Sequence, residues 1–312
     1  MAYEWPHYDP TMEALLHPER SHPYGLHRQG DGWPLEAIYA EFARLAYFQF
    51  EDEAGKRLLN QALSQAGFGE AVPFNSVAPP FGNWLRRKQQ ALRNRDAQAF
   101  GATSLDGELA ILAYRGTQAD RPKDLVSDLL AWRTDRPGGG KVHTGFWLAY
   151  RSLADKIGPW LDGLSAKRLI VTGHSLGAAM ATLMAADHRR AELVTFGCPL
   201  VGDKDFANAF GRDSLRYVDC TDMVTTVPYG LLGYVHFGEM RYIDRNGVVH
   251  LSPSAETMKQ DRKQARDLYR RTYAGVPGNV PVRNFADHAP VNYVSAVSKM
   301  RPTVPVSAPA GR

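Results

Sequence analysis

The sequence predicts an α/β fold, a mostly parallel central sheet with helices on both faces. From Gly145 onward, apolar runs of strand length alternate with segments of helical periodicity, the pattern of βαβ units. The runs Arg168–Thr172 and Leu193–Phe196 are almost continuously apolar or β-branched, as strands covered on both faces require. Between one such run and a helical Ala/Met/Leu pattern stands Gly173-His174-Ser175-Leu176-Gly177, a tight strand-to-helix reversal.

The elements follow in order. Residues 1–33 are rich in His, Pro, Gly and aromatics without sustained periodicity and read as an irregular extension; His17, His22 and His27 match no standard metal spacing. Over Pro34–Phe50 apolar residues recur at helical spacing, with Pro34 suited to a first turn. Asn83–Arg95 is a basic run that reads as a solvated helix face or a contact for anionic lipid. Ala97–Thr103 and Glu108–Tyr114 are strands joined at the hairpin signal Asp106-Gly107. Helix Gly145–Leu161, strand Arg168–Thr172, helix Ser175–Asp187, strand Leu193–Phe196, helix Asp203–Phe210 and strand Leu215–Asp219 then alternate. A second hairpin, Arg241–Leu251, turns at Asn246-Gly247, and Ser254–Tyr273 is a charged helix. One domain over 34–300 is expected, with residues 301–312 a flexible tail.

A chain of 312 residues, 44% hydrophobic and 22% charged, has the composition of a globular protein, which excludes disordered and fibrous classes. Its longest apolar stretch, Leu176–Ala186, falls far short of the roughly 20 residues of a membrane span. The N-terminus shows no basic start followed by an apolar run, so a cytoplasmic location is the default; secretion without a classical signal, or after its removal, is the alternative. Two cysteines, Cys198 and Cys220, make no disulfide framework and no zinc motif. A net charge of +4 comes without any nucleic-acid-binding motif, and no nucleic-acid partner is expected. Gly138-Gly139-Gly140-Lys141 lacks the first glycine and the final Ser or Thr of a phosphate loop, and H-E-x-x-H is absent, so neither cofactor nor metal is implied.

The chemistry centres on Ser175. In so tight a reversal the serine takes strained backbone geometry, the flanking glycines remove clashes, and the following helix turns its free N–H groups toward the hydroxyl. A serine nucleophile needs a base, usually a histidine oriented by a carboxylate, and in this type of sheet the chain order is Ser, acid, His. Asp222 lies in a loop beyond the carboxyl end of strand Leu215–Asp219, whereas Asp219 belongs to the strand itself, so Asp222 is preferred. Of the histidines that follow, His250 falls in the second hairpin and His236 in an aromatic-rich run typical of a packed core. His288 ends a loop at a helix entrance and is the preferred base. Oxyanion donors are expected at the Leu176 N–H and in the loop after Leu112-Ala113-Tyr114, where Thr117 adds a hydroxyl.

Six blocks now make a specific resemblance: LAYRGT (112–117), KVHTGF (141–146), VTGHSLGAAMATL (171–183), LVTFGCPLVGD (193–203) with Phe206, YVDCTDMVTTVP (217–228) and DHAPVNYV (287–294). The sequence resembles the class 3, fungal-lipase-like lipases of the α/β-hydrolase superfamily. The resemblance implies an α/β-hydrolase fold and a Ser175–His288–Asp222 triad with Thr117 and Leu176 in the oxyanion hole. It also implies supporting roles for His174, Asp128 and His143, and a cofactor-free lipase or esterase cleaving acyl esters of lipids, most simply acylglycerols. Rival readings are a phospholipase A1 or acyltransferase and, from another class, a non-catalytic lipid-binding protein. The segment Gln118–Asp124, where fungal members carry an amphipathic lid, is polar here, which implies weak activation at oil interfaces. Helix Ser254–Tyr273 carries six basic and three acidic residues, 6 − 3 = +3, and reads as a solvated face or a peripheral contact with lipid.

Overall fold

The computed structural model describes residues 7–20, 33–48, 50, 52–76, 97–117, 132–228 and 233–300. The basic run Asn83–Arg95, the polar segment Gln118–Asp124, Asp128, His22, His27 and the tail 301–312 lie outside them.

Eight strands form one sheet in the order β1-β2-β3-β6-β7-β8-β9-β10. They are β1 (Val72–Asn75), β2 (Gln98–Thr103), β3 (Leu109–Tyr114), β6 (Arg168–His174), β7 (Ala191–Phe196), β8 (Leu215–Asp219), β9 (Glu239–Ile243) and β10 (Val249–Leu251). Every pair from β3 to β9 is parallel, while β1–β2, β2–β3 and β9–β10 are antiparallel. The parallel centre is dry: every residue of β3 is buried, and in β6 only Arg168 is exposed. A separate ribbon pairs β4 (Arg133–Asp135) with β5 (Lys141–His143), and Gly138–Gly140 supply its turn.

Helices cover both faces, because strands apolar on both sides must be screened twice. On one face α4 (Thr144–Asp162) and α5 (Leu176–Asp187) pack through Phe146, Leu153, Met180 and Leu183. From Leu176 to Ala185 every residue of α5 is buried, which explains why it has no polar stripe. On the other face lie α2 (Leu35–Leu45), α3 (Glu53–Gln65) and α9 (Pro290–Ser298), meeting the sheet through Phe42, Leu63 and Val297. Shorter α6 (Lys204–Phe210), the charged α7 (Ala255–Thr272) and α8 (Arg283–Ala286) complete the body. Among the described residues no helix is long and apolar enough to cross a membrane.

Two local expectations change. The helix expected over 34–50 ends at Leu45, and a turn then brings Tyr47 toward the elbow. Residues 7–20, expected to be irregular, carry α1 (Met12–Leu16), whose N-cap Thr11 accepts the Ala14 N–H. This segment docks on the far end of the chain. Met12 N–H donates to the Gly278 carbonyl and Val280 N–H to that of Pro10, while Ala14, Leu15 and Leu16 bury against Tyr269 and Val291.

Candidate active site

All three chemistry-bearing side chains singled out in the sequence sit beyond the carboxyl ends of β6, β8 and the loop leading to α9, the edge where parallel sheets present ligands. Ser175 follows β6 with φ 59° and ψ −128°, a left-handed conformation that costs a non-glycine residue about 1–3 kcal/mol. The helix expected from Ser175 therefore starts at Leu176. Its backbone is held where it reverses, since Ser175 N–H donates to the Phe196 carbonyl at the end of β7.

The His288 and Asp222 side chains meet. His288 Nδ1 lies 2.8 Å from Asp222 Oδ2, and both residues are buried. Two further donors fix that carboxylate: the Val224 N–H reaches Oδ1 at 2.9 Å and the Tyr293 hydroxyl reaches Oδ2 at 2.6 Å. An Nδ1–H given to a carboxylate leaves the lone pair on Nε2. His288 Nε2 has no hydrogen-bond partner among the described residues. Its ring centroid lies 4.4 Å from that of His174, the residue before Ser175, with the planes tilted by 37°, so the imidazole stands at the elbow. Beneath them Gly197 leaves no room for a side chain: a Cβ there meets Asp222 Oδ2 at 3.0 Å and both imidazoles at 3.2 Å.

The oxyanion candidates come from two elements. Leu176 is the first residue of α5, where backbone N–H groups lack intrahelical acceptors. Thr117, half-buried, follows β3, which runs parallel to β6 with Tyr114 opposite Gly173. Between them Gly116 lies so close to the elbow that a Cβ meets the Tyr47 hydroxyl at 2.0 Å and the His174 carbonyl at 2.7 Å. Gly116→Ala is expected to force these apart, costing about 3 kcal/mol and most of the ester turnover. Thermal denaturation and p-nitrophenyl ester assays check this; an unshifted melting temperature contradicts the tight approach.

His174 and His143 are both packed. His174 Nδ1 is 2.9 Å from the Tyr47 hydroxyl, and burial, reinforced by the neighbouring His288, holds its pKa well below the usual imidazole value. A neutral His174 places no second positive charge beside His288. His143 caps α4 by accepting the Phe146 N–H at 3.3 Å and stacks on that ring. Of the histidines set aside in the sequence, His250 is exposed on β10 beside Asp244, and His236 bonds the Thr225 carbonyl through Nε2, with burial lowering its pKa to about 3.

Sequence reasoning passed over two residues that brace this arrangement. Tyr293 reaches Asp222 from α9. Asp287 accepts the N–H and hydroxyl of Thr221 at 2.9 Å each, the Tyr8 hydroxyl at 2.9 Å and Arg283 Nε at 3.0 Å, tying the acid loop to the histidine loop. Both stand in the DHAPVNYV block, Asp287 in the loop before α9 and Tyr293 on a face of α9 that otherwise packs inward.

Asp219, the acid not preferred, ends β8 and is 3% exposed. Burial first, then the Asp287 and Asp222 carboxylates, push its pKa well above the usual carboxylate range, with Arg283 opposing. A raised folded-state pKa means that stability present in acid is lost as pH rises through that value. Asp219→Asn is accordingly expected to raise the melting temperature at pH 8 and to lose that advantage toward pH 4. A variant equally destabilised at both pH values contradicts this.

Comparisons with known proteins bear on the family and the fold. Residues 111–231 match the family model for Lipase (class 3). Over these residues the chain resembles the class 3, fungal-lipase-like lipases. Over 155 residues, 45% of this chain and 50% of the relative, it is 32% identical to a secreted mono- and diacylglycerol lipase A of Penicillium cyclopium. It is 32% identical over 169 residues to a lipase of Rhizomucor miehei, covering 48% of this chain and 46% of that one. The chain thus spans about half the length of the relatives it matches. A solved triacylglycerol lipase, described as having a serine protease triad for its catalytic centre, shares the fold with a TM-score of 0.57 and 20% identity over 81% of this chain and 91% of that one. One expectation is corrected: relatives named as secreted overturn the cytoplasmic default. That default rested on the lack of a leader pattern, which a mature secreted chain also lacks.

Proposed function

We propose that this chain is a class 3, fungal-lipase-like serine carboxylic ester hydrolase that cleaves acylglycerols. The observation that carries the reading is the buried 2.8 Å contact of His288 Nδ1 with Asp222, which leaves Nε2 unpartnered beside the strained Ser175 elbow. In this reading Ser175 Oγ attacks the acyl carbonyl as His288 Nε2 takes its proton. Asp222 holds the Nδ1–H tautomer and stabilises the imidazolium. The Leu176 N–H and Thr117 receive the developing oxyanion, each such donor lowering the barrier by about 3 kcal/mol. His288 then protonates the leaving alcohol, and water, deprotonated by the same imidazole, releases the acid from the acyl-enzyme.

Acylglycerol is the proposed substrate because the Penicillium relative is named for mono- and diacylglycerol. The same name supports an extracellular protein. We assign the hydrolase unit to residues 34–300, with Asp9 and Tyr8 docked on α9 and the histidine loop. Fatty-acid release from monoolein, diolein and triolein, compared with phosphatidylcholine, tests the substrate. Faster release from the glycerides is expected. Faster release from phosphatidylcholine makes the enzyme a phospholipase, and no release from any ester makes it a binding protein.

A further inference from the structure

A cavity of about 150 Å³ lies behind the acid loop, between α9, the C-terminal part of α7 and the β9–β10 turn. The buried Asp219 lines it, and no side chain among the described residues hydrogen-bonds or ion-pairs with its carboxylate. Among the described residues its hydrogen-bond donor is the Cys220 backbone N–H, and the cavity leaves room for a further one. The other charges at the cavity are already committed. Arg283 is held by Asp287, Arg245 by Asp261 at 2.5 Å, and Asp244 by its own turn amides and His250. Lys299 is the exception: exposed on the cavity's edge, it donates to Ser295 Oγ at 3.2 Å and enters no ion pair among the described residues.

We propose that this cavity binds a small zwitterion, its ammonium against the Asp219 carboxylate and its acidic group on Lys299. The walls suit that chemistry. Tyr8, Tyr269 and Tyr273 form an aromatic side, with ring centroids 6.1 Å apart for Tyr8–Tyr273 and 5.3 Å for Tyr269–Tyr273. The Tyr8 ring already faces the Arg283 guanidinium, 5.4 Å from its centroid, and the Tyr269 and Tyr273 rings offer faces of the kind that attract ammonium groups. The Tyr8 and Tyr269 hydroxyls are spent on Asp287 and the Val280 carbonyl, so neither neutralises Asp219. The Asp287 and Asp222 carboxylates oppose ionisation of Asp219, so a cation placed beside it in the cavity favours its charged form.

Size and donor set select an organic cation over a metal ion. A volume near 150 Å³ holds a molecule about the size of benzene, whereas one water needs about 10–15 Å³. Among the described residues no cluster of three or more His, Cys, Asp or Glu side chains offers a metal site. An ammonium joined to an acidic group occurs both in free zwitterions such as betaine and in the headgroups of phosphatidylcholine and phosphatidylethanolamine.

Calorimetric titration of the full chain with phosphocholine, betaine, choline and inorganic phosphate tests the site, with binding and not ester turnover as the readout. Saturable one-to-one binding of phosphocholine or betaine is expected, with choline weaker and phosphate not detected. Asp219→Asn is expected to weaken the zwitterions and choline at least tenfold, and Lys299→Ala to weaken the zwitterions while sparing choline. Lys299 is at the surface, so its variant tests the contact with the acidic group independently of the Asp219 variant. No binding of any ammonium probe, phosphate binding as tight as phosphocholine, or affinity unchanged in both variants overturns the proposal. Competition by phosphatidylcholine vesicles assigns the site to a lipid headgroup, and its absence alongside phosphocholine binding assigns it to a free zwitterion.

Discussion

Ser175→Ala is expected to lower kcat for p-nitrophenyl esters by about 10⁶-fold, a barrier increase of about 8 kcal/mol. The size of the effect follows from the chemistry: without the hydroxyl no acyl-enzyme forms, and the oxyanion donors with water alone sustain only residual hydrolysis. The fold should persist, because alanine adds no atom to a site already ordered by the Ser175 N–H bond to Phe196. Ser175→Gly carries a further signature. Glycine occupies φ 59° without the side-chain penalty, so this variant should be inactive yet more stable than the parent by about 1 kcal/mol. Equal stability of the glycine and serine chains in thermal melts contradicts strain at the elbow.

Asp222→Asn should lower kcat by about 10⁴-fold, less than loss of the nucleophile. The asparagine amide fits the same space but turns a donor toward His288 Nδ1, favouring the tautomer that places a proton on Nε2, where a lone pair is needed. The loss should appear in kcat rather than KM, because the carboxylate lies behind the imidazole, 2.8 Å from Nδ1. Asp219→Asn should cost far less, since no described contact links its carboxylate to His288. An Asp219 variant more impaired than the Asp222 variant reverses the assignment of the acid.

The sequence disclosed those features that repeat a simple period or join residues close in the chain. β3, β6 and β7 read as apolar runs because both of their faces are covered, and α5 follows β6 so tightly that the elbow was visible as a motif. The preference for Asp222 over Asp219 was open to the sequence because a strand's last residue and a residue three further on differ in freedom to turn. β1 and α3 escaped notice for a physical reason: β1 contains Pro73 and buries only Phe74, and α3 buries only Leu59, Ala62 and Leu63. Neither presents a full apolar face. The docking of Tyr8 and Asp9 onto Asp287 and Asn292 was also out of reach, since the partners lie 279 and 283 residues away and no local pattern marks such contacts. Tyr293 belongs to the same class, 71 residues from the acid it supports.

The central claim is that Ser175 is a nucleophile activated by His288. Labelling the full chain with a fluorophosphonate and mapping the adduct by peptide mass spectrometry tests it most directly. One adduct is expected, on Ser175, formed far more slowly in His288→Ala at neutral pH and absent in Ser175→Ala. An adduct on another residue, or labelling of Ser175 at an undiminished rate without His288, contradicts it.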